Sequence, residues 1–200
     1  VHSVLSKAAI DPNNVDGVVV HATTVVTNAL IERKGQPTAM VTTEGFRDVL
    51  FIRNEHRYEM YDPQIEFPEP LVPQELTFSI AERTLADGRI MAKPAEKDIA
   101  SLVSQLKASG AKAVAICFLN SFANPENERQ VATALRQALP DLFICTSSDV
   151  APQIREYPRA STTTVNAYTM PISQPYLKRL SERLETERFT NTPLIMLSSG

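Results

Sequence analysis

Six glycines are spread over 200 residues, and no two are separated by a single residue. That absence excludes a Gly-rich phosphate loop within the chain. There is no Cys-x-x-Cys, no His-Glu-x-x-His and no Gly-x-Ser-x-Gly, so the common zinc and serine-hydrolase arrangements have no sequence support. Only two cysteines occur, Cys117 and Cys145, each inside an apolar strand-like run. They read as buried free thiols rather than as a disulfide or metal pair. No apolar run approaches the roughly 20 residues of a membrane span, and nothing resembles a signal peptide. The formal charge is −3, with basic residues scattered. A nucleic-acid surface usually needs a clustered basic patch, so none is expected. These properties give a cytoplasmic character. With 43% hydrophobic residues there is ample material for one domain, or for one domain plus a lobe.

Periodicity orders what is present. A helix is expected over 1–10 and a strand over 15–20, followed by a helix with apolar positions Val26, Leu30 and Ile31. A short strand is expected over 38–42 and a helical turn over 46–50. Across 53–73 the periodicity fades among Pro63, Pro68, Pro70 and Pro73, which suggests a functional loop or one that wraps a neighbour. A strand over 77–85 then meets a turn at Asp87-Gly88. Ile99, Leu102, Val103 and Leu106 mark a helix ended by Gly110. The run 113–119 is apolar without alternation, as in a parallel strand covered on both sides. Asn124 and Pro125 open another helix, with Val131, Leu135 and Leu139 facing inward. A strand over 142–146, a polar helix around 161–168, an amphipathic helix through Tyr176, Leu177, Leu180 and Leu184, and a strand over 194–197 complete the pattern. Alternating strands and helices indicate an α/β fold with a mainly parallel sheet and flanking helices.

Three polar clusters stand out. In Val18-Val19-Val20-His21-Ala22-Thr23-Thr24, a strand turns through hydroxyls into a helix. Unpaired helix N–H groups and threonine hydroxyls can hold phosphate or a polarised amide, although Thr23 and Thr24 can equally serve as simple caps. His21 ends the strand as a candidate proton-transfer group or as a structural imidazole, and Asn28 lies one turn into the helix. The second cluster contains Arg155, Glu156 and Arg159. If helical, the two arginines share a face and form an anion clamp for phosphate or carboxylate, unless Glu156 neutralises one of them. The third cluster runs from Arg53 to Tyr58 with Asp62, and reads mainly as an exposed loop.

The run from His21 through Thr27, Asn28, Leu30, Glu32, Arg33 and Gly35 resembles the signature of the hydantoinase/oxoprolinase family. So do Val41-Thr42-Thr43 with Gly45-Phe46-Arg47-Asp48, Tyr61-Asp62, Pro70-Leu71-Val72-Pro73, Glu82-Arg83 with Asp87-Gly88, Asn124-Pro125 with Glu128, and Arg155 through Tyr168. The resemblance implies a portion of a ribonuclease-H-like ATPase core of the actin and Hsp70 type. It also implies an ATP- and Mg²⁺-dependent hydrolase of a cyclic amide such as a hydantoin or oxoproline. A second hydantoinase-type subunit and a homo- or hetero-oligomer are expected with it. The ATP-using subunit of an acetone or acetophenone carboxylase is the alternative within the family, and a non-catalytic interaction domain is the alternative outside it.

On this resemblance, residues 1–52 would end a first lobe, 53–94 would form a Pro-rich loop and strand insertion, and 95–200 would form a βα lobe. The family's Asp-x-Gly-Gly-Thr-Phe-Thr-Asp phosphate loop and its C-terminal domains are expected outside these residues, leaving the isolated segment inactive. Ala22 stands where the family favours glycine, a strained choice if that position needs a positive φ.

Overall fold

The structure, a computed structural model, describes residues 2–9, 11, 20–54, 59–187, 189 and 193–196. Most of the strand expected over 15–20 and the cluster residues 55–58 therefore lie outside the described residues. Two compact units are present, one from 1–34 together with 172–200 and one from 35–171. Positions 52/53 and 94/95 both fall inside the larger unit.

In the larger unit, β2 (Thr38–Thr43), β3 (Thr77–Ile80), β6 (Ala113–Cys117) and β7 (Phe143–Thr146) form one sheet in the order β3-β2-β6-β7. All three pairings are parallel. Alternation within these buried strands separates two cores. Ala39, Val41, Val114, Ile116 and Ile144 meet Ile99, Leu102 and Leu106 of α4 (Glu96–Ser109) and Val131 and Leu135 of α5 (Glu126–Ala138). Met40, Ala113, Ala115, Cys117 and Cys145 instead meet Leu50 of α3 (Val49–Ile52), Val72, and Ala160 and Ala167 of α7 (Glu156–Thr186). A sheet with both faces covered needs apolar residues at every position, which explains the unalternating run in β6.

The element boundaries follow local chemistry. Gly110, at φ 71, ends α4 in the left-handed conformation. Pro125 is the N-cap of α5, one residue later than expected, while the Asn124 side chain accepts from the Glu126 N–H at 3.1 Å. The strand expected over 77–85 is instead two strands. After β3 the chain leaves the parallel sheet at Ala81-Glu82, and β4 (Arg83–Thr84) pairs antiparallel with β5 (Ile90–Ala92) across the Gly88 turn.

The two helices expected after residue 160 are one helix of 31 residues, running through Pro171 and Pro175. Each proline removes one helix N–H, so the carbonyls of Ala167 and Pro171 lose their usual donor. The threonine-rich first half is satisfied from within. Thr163 donates to the Arg159 carbonyl at 2.7 Å, and Thr164 to the Ser161 carbonyl at 2.9 Å.

The smaller unit contains α1 (His2–Lys7), β1 (Val20–His21), α2 (Val25–Ile31) and β8 (Leu194–Ile195), with β1 and β8 parallel. On α2 the buried residue is Ala29, whereas Ile31 is 76% exposed. The apolar stripe expected from Ile31 is therefore not used there. A short α6 (Ser147–Val150) follows β7 in the larger unit. Among the described residues no helix is long and apolar enough to cross a membrane.

Candidate functional site

Parallel sheets bind ligands beyond the C-terminal ends of their strands. At that end of the larger unit lies a buried polar network assembled from distant parts of the sequence. The Thr43 hydroxyl, last in β2, donates to Glu82 and accepts the Leu119 N–H at 2.9 Å. Asn127 Nδ2 donates to the other oxygen of Glu82 at 2.7 Å and to the Ala92 carbonyl at 3.1 Å. Asn120, at φ 54, donates to the Thr84 carbonyl at 2.9 Å. Burial pushes the Glu82 carboxyl above its ordinary value of 4.5, against the hydrogen bonds from Thr43 and Asn127.

Glu128, fully buried, serves as the neighbouring anchor. One oxygen accepts the Phe118 N–H at 2.9 Å and the Ser147 hydroxyl at 2.6 Å, and the other accepts the Ser148 N–H at 2.9 Å. Its carboxylate thus joins the end of β6 to the start of α6. The motif segments around Thr43, Glu82 and Asn127-Glu128 meet here. Sequence reasoning gave none of these residues a role, and their shared membership in family motifs was the available signal.

The Arg155–Glu156–Arg159 cluster takes a different form from the expected clamp. Arg155 precedes α7 at φ 74 and is exposed, as is Glu156 in the first turn. Arg159 is 1% exposed. Its Nη2 donates to the Phe118 carbonyl at 2.6 Å and its Nη1 to the Gln153 carbonyl at 3.2 Å. The guanidinium also lies 5.5 Å from the centre of the Phe122 ring. The two arginines share no helix face because Arg155 is not helical. Arg159 holds the backbone between β6 and α7.

A cavity of about 290 Å³ opens beside the first turns of α7, between α3 and the proline-rich residues 68–71. Arg53, at φ 59, closes one side. Its guanidinium lies 4.7 Å from the centre of the Phe67 ring and donates to the Pro68 carbonyl. Asp62 is exposed and accepts the Gln64 N–H at 2.8 Å. Residues 55–58 of the same cluster lie outside the described residues.

In the smaller unit, His21 Nε2 is 2.6 Å from the Tyr176 hydroxyl, with the two rings 5.8 Å apart. Sequence reasoning placed Tyr176 only on an amphipathic helix and gave it no part in the site, because 155 positions separate it from His21. Thr24 is the N-cap of α2 but makes no side-chain bond to the helix backbone. Its hydroxyl accepts from Asn28 Nδ2 at 3.3 Å, while Thr23 accepts the Val25 N–H at 3.2 Å. Thr23, Thr24 and Asn28 are all exposed, so the corner presents its hydroxyls to solvent. Ala22 does not have a positive φ, and alanine is unstrained there.

The thiols of Cys117 and Cys145 are free and buried. Burial pushes Cys145 up to about 11 and Cys117 higher still. Both are structural. Among the described residues no three His, Cys, Asp or Glu side chains stand together as a metal site.

With this geometry in place, likeness to known proteins identifies the chain. Residues 1–139 match the model of the hydantoinase/oxoprolinase N-terminal region, and the chain belongs to that family. It is 38% identical over 168 residues to the caprolactamase alpha subunit of Pseudomonas jessenii, which covers 83% of this chain and 24% of that protein. It is 29% identical over 203 residues to the 5-oxoprolinase of Saccharomyces cerevisiae, covering 89% of this chain and 16% of that protein. The crystal structure of the P. jessenii ATP-dependent caprolactamase matches at a TM-score of 0.82 and 34% identity, covering 96% of this chain and 28% of that one. A nucleotide-free acetone carboxylase structure matches at 0.80 and 25% identity, covering 90% and 27%. The chain thus spans between 16% and 28% of the length of these relatives.

Proposed function

We propose that the full-length protein is an ATP-dependent hydrolase that opens a small cyclic amide. The likeness to the ATP-dependent caprolactamase over 96% of the chain carries this reading. Amide resonance makes water attack on a lactam carbonyl slow. ATP, when bound, would supply a phosphoryl group to the carbonyl oxygen and leave as ADP; water then adds to the activated ring carbon, the ring C–N bond breaks to free the amine, and inorganic phosphate leaves as the carboxylate forms. The chain's own residues contribute positioning and proton handling.

Thr23 and Thr24 present hydroxyls suited to a phosphate or to the polarised amide oxygen. Asn28 fixes the Thr24 side chain through the bond at 3.3 Å. His21 Nε2 and the Tyr176 hydroxyl are hydrogen-bonded at 2.6 Å and serve the step in which water is deprotonated or the amine protonated. Arg155 and Glu156 offer exposed charges at the head of α7, while Arg159 positions that helix from inside. Among the described residues the carboxylates form no metal cluster, so Mg²⁺ is assigned no ligand there. Assembly with a second subunit is part of the proposal, because the P. jessenii relative is itself an alpha subunit.

A ketone-carboxylase subunit is the second reading, favoured by the acetone carboxylase likeness. The test is ADP release by the full-length protein with caprolactam, hydantoin, N-methylhydantoin and oxoproline supplied separately. Stimulation by a ring amide, with ring-opened product, supports the hydrolase. Stimulation only by a ketone with bicarbonate replaces it with the carboxylase.

A further inference from the structure

Arg159 carries more hydrogen-bond donors than its neighbours use. Its two Nη atoms serve the Phe118 and Gln153 carbonyls, while Nε is buried and has no hydrogen-bond partner among the described residues. The side chain is 1% exposed, so bulk solvent does not reach that N–H. Folded proteins rarely leave a buried donor unpaired, and an exception calls for an ordered partner.

A place for that partner lies beside the guanidinium. Arg159 lines a cavity of about 10 Å³ between the ends of β2 and β6 and the first turns of α7. Thr42 lines it as well, from the face of the sheet that α7 covers. Its register partner is Cys117, which packs with Ala160 of α7. Thr42 is buried, and among the described residues its hydroxyl makes no hydrogen bond. Two polar groups without partners therefore border the same small space.

Size and charge select the occupant. A cavity of about 10–15 Å³ is the least that holds a water, so there is room here for one and for nothing larger. The guanidinium does not call for an anion. Arg159 and the buried Glu128 hold opposite ends of one residue, the Phe118 carbonyl and N–H, and Glu156 brings a second carboxylate to the cavity wall. A neutral molecule that both donates and accepts satisfies an N–H and a hydroxyl together.

We propose that this cavity is a buried hydration site, in which one water accepts the Arg159 Nε–H and bonds to the Thr42 hydroxyl, tying the end of β2 to α7. The site is independent of the reaction proposed above and needs neither ATP nor substrate.

Crystal structures of the full-length protein test it, with wild type compared against Thr42→Val and Thr42→Ser. Wild type and Thr42→Ser should both show a water within hydrogen-bond distance of Arg159 Nε, and Thr42→Val should lack it. Thermal unfolding adds a readout whose sign decides. Valine matches threonine in shape, so deleting an idle buried hydroxyl raises Tm, whereas deleting a partner of a bound water lowers it. Thr42→Val should lower Tm by a few degrees. The proposal is overturned if wild type shows no water on Nε where other buried waters are seen, or if the Glu156 carboxylate fills the cavity instead. It is equally overturned if the water is unchanged in Thr42→Val, or if that variant melts higher than wild type.

Discussion

Arg159 shows how far a residue's role can depart from its composition. In sequence, Arg155-Glu156 and Arg159 look like a charged surface or an anion clamp. In the structure Arg159 is buried and bonded to the carbonyls of Phe118 and Gln153. Its nearer partner lies 41 positions away, so no local rule could find it. Arg159→Met leaves both carbonyls without their donor and should lower unfolding stability by about 3 kcal/mol, read from urea midpoints. Glu82 makes a second prediction. Its folded carboxyl binds a proton more tightly than the unfolded chain does, because burial raises it above 4.5. The stability from this group is full below that value and is lost as pH rises through the higher folded value. Glu82→Gln does not titrate, so wild type should lose stability relative to this variant as pH rises above 4.5. At the proposed chemistry, His21→Gln and Tyr176→Phe should each lower turnover of the full-length protein, by about 100-fold for His21, with little change in KM.

The elements of the parallel sheet were legible where burial imposes a pattern. β6 is an unbroken apolar run because both of its faces are covered, and α4 and α5 show their inward residues at helical spacing. The long α7 was not legible, since Pro171 and Pro175 read locally as helix breakers. Nor was the split of 77–85 into β3 and β4, which depends on Glu82 turning into a network with Thr43 and Asn127, 39 and 45 positions away. Two glycines separate conformational from steric cost. Gly110 has a left-handed φ and open space where a Cβ would stand, so Gly110→Ala should cost about 1 kcal/mol. Gly35 is different: a Cβ there would lie 2.1 Å from the Tyr168 ring, whose hydroxyl accepts the Gly35 N–H at 2.7 Å. Gly35→Ala should be much more damaging, and Tyr168→Ala should recover part of the loss in a double-mutant cycle measured by urea denaturation.

At the scale of the whole molecule, the fold class was legible and the proposed site only in part. Hydrophobic periodicity fixes which faces are covered, and family motifs mark the His21–Thr24 corner. The cavity beside α7 was not visible in sequence, because it needs the Pro-rich segment and α7 side by side in space. The central claim is that ring opening is coupled to ATP. Its most direct measurement counts ADP and ring-opened product in the same reaction of the full-length protein with caprolactam. The account predicts equal amounts of the two, and no product when ATP is omitted. ADP release that ignores every ring amide but rises with acetone and bicarbonate would contradict it.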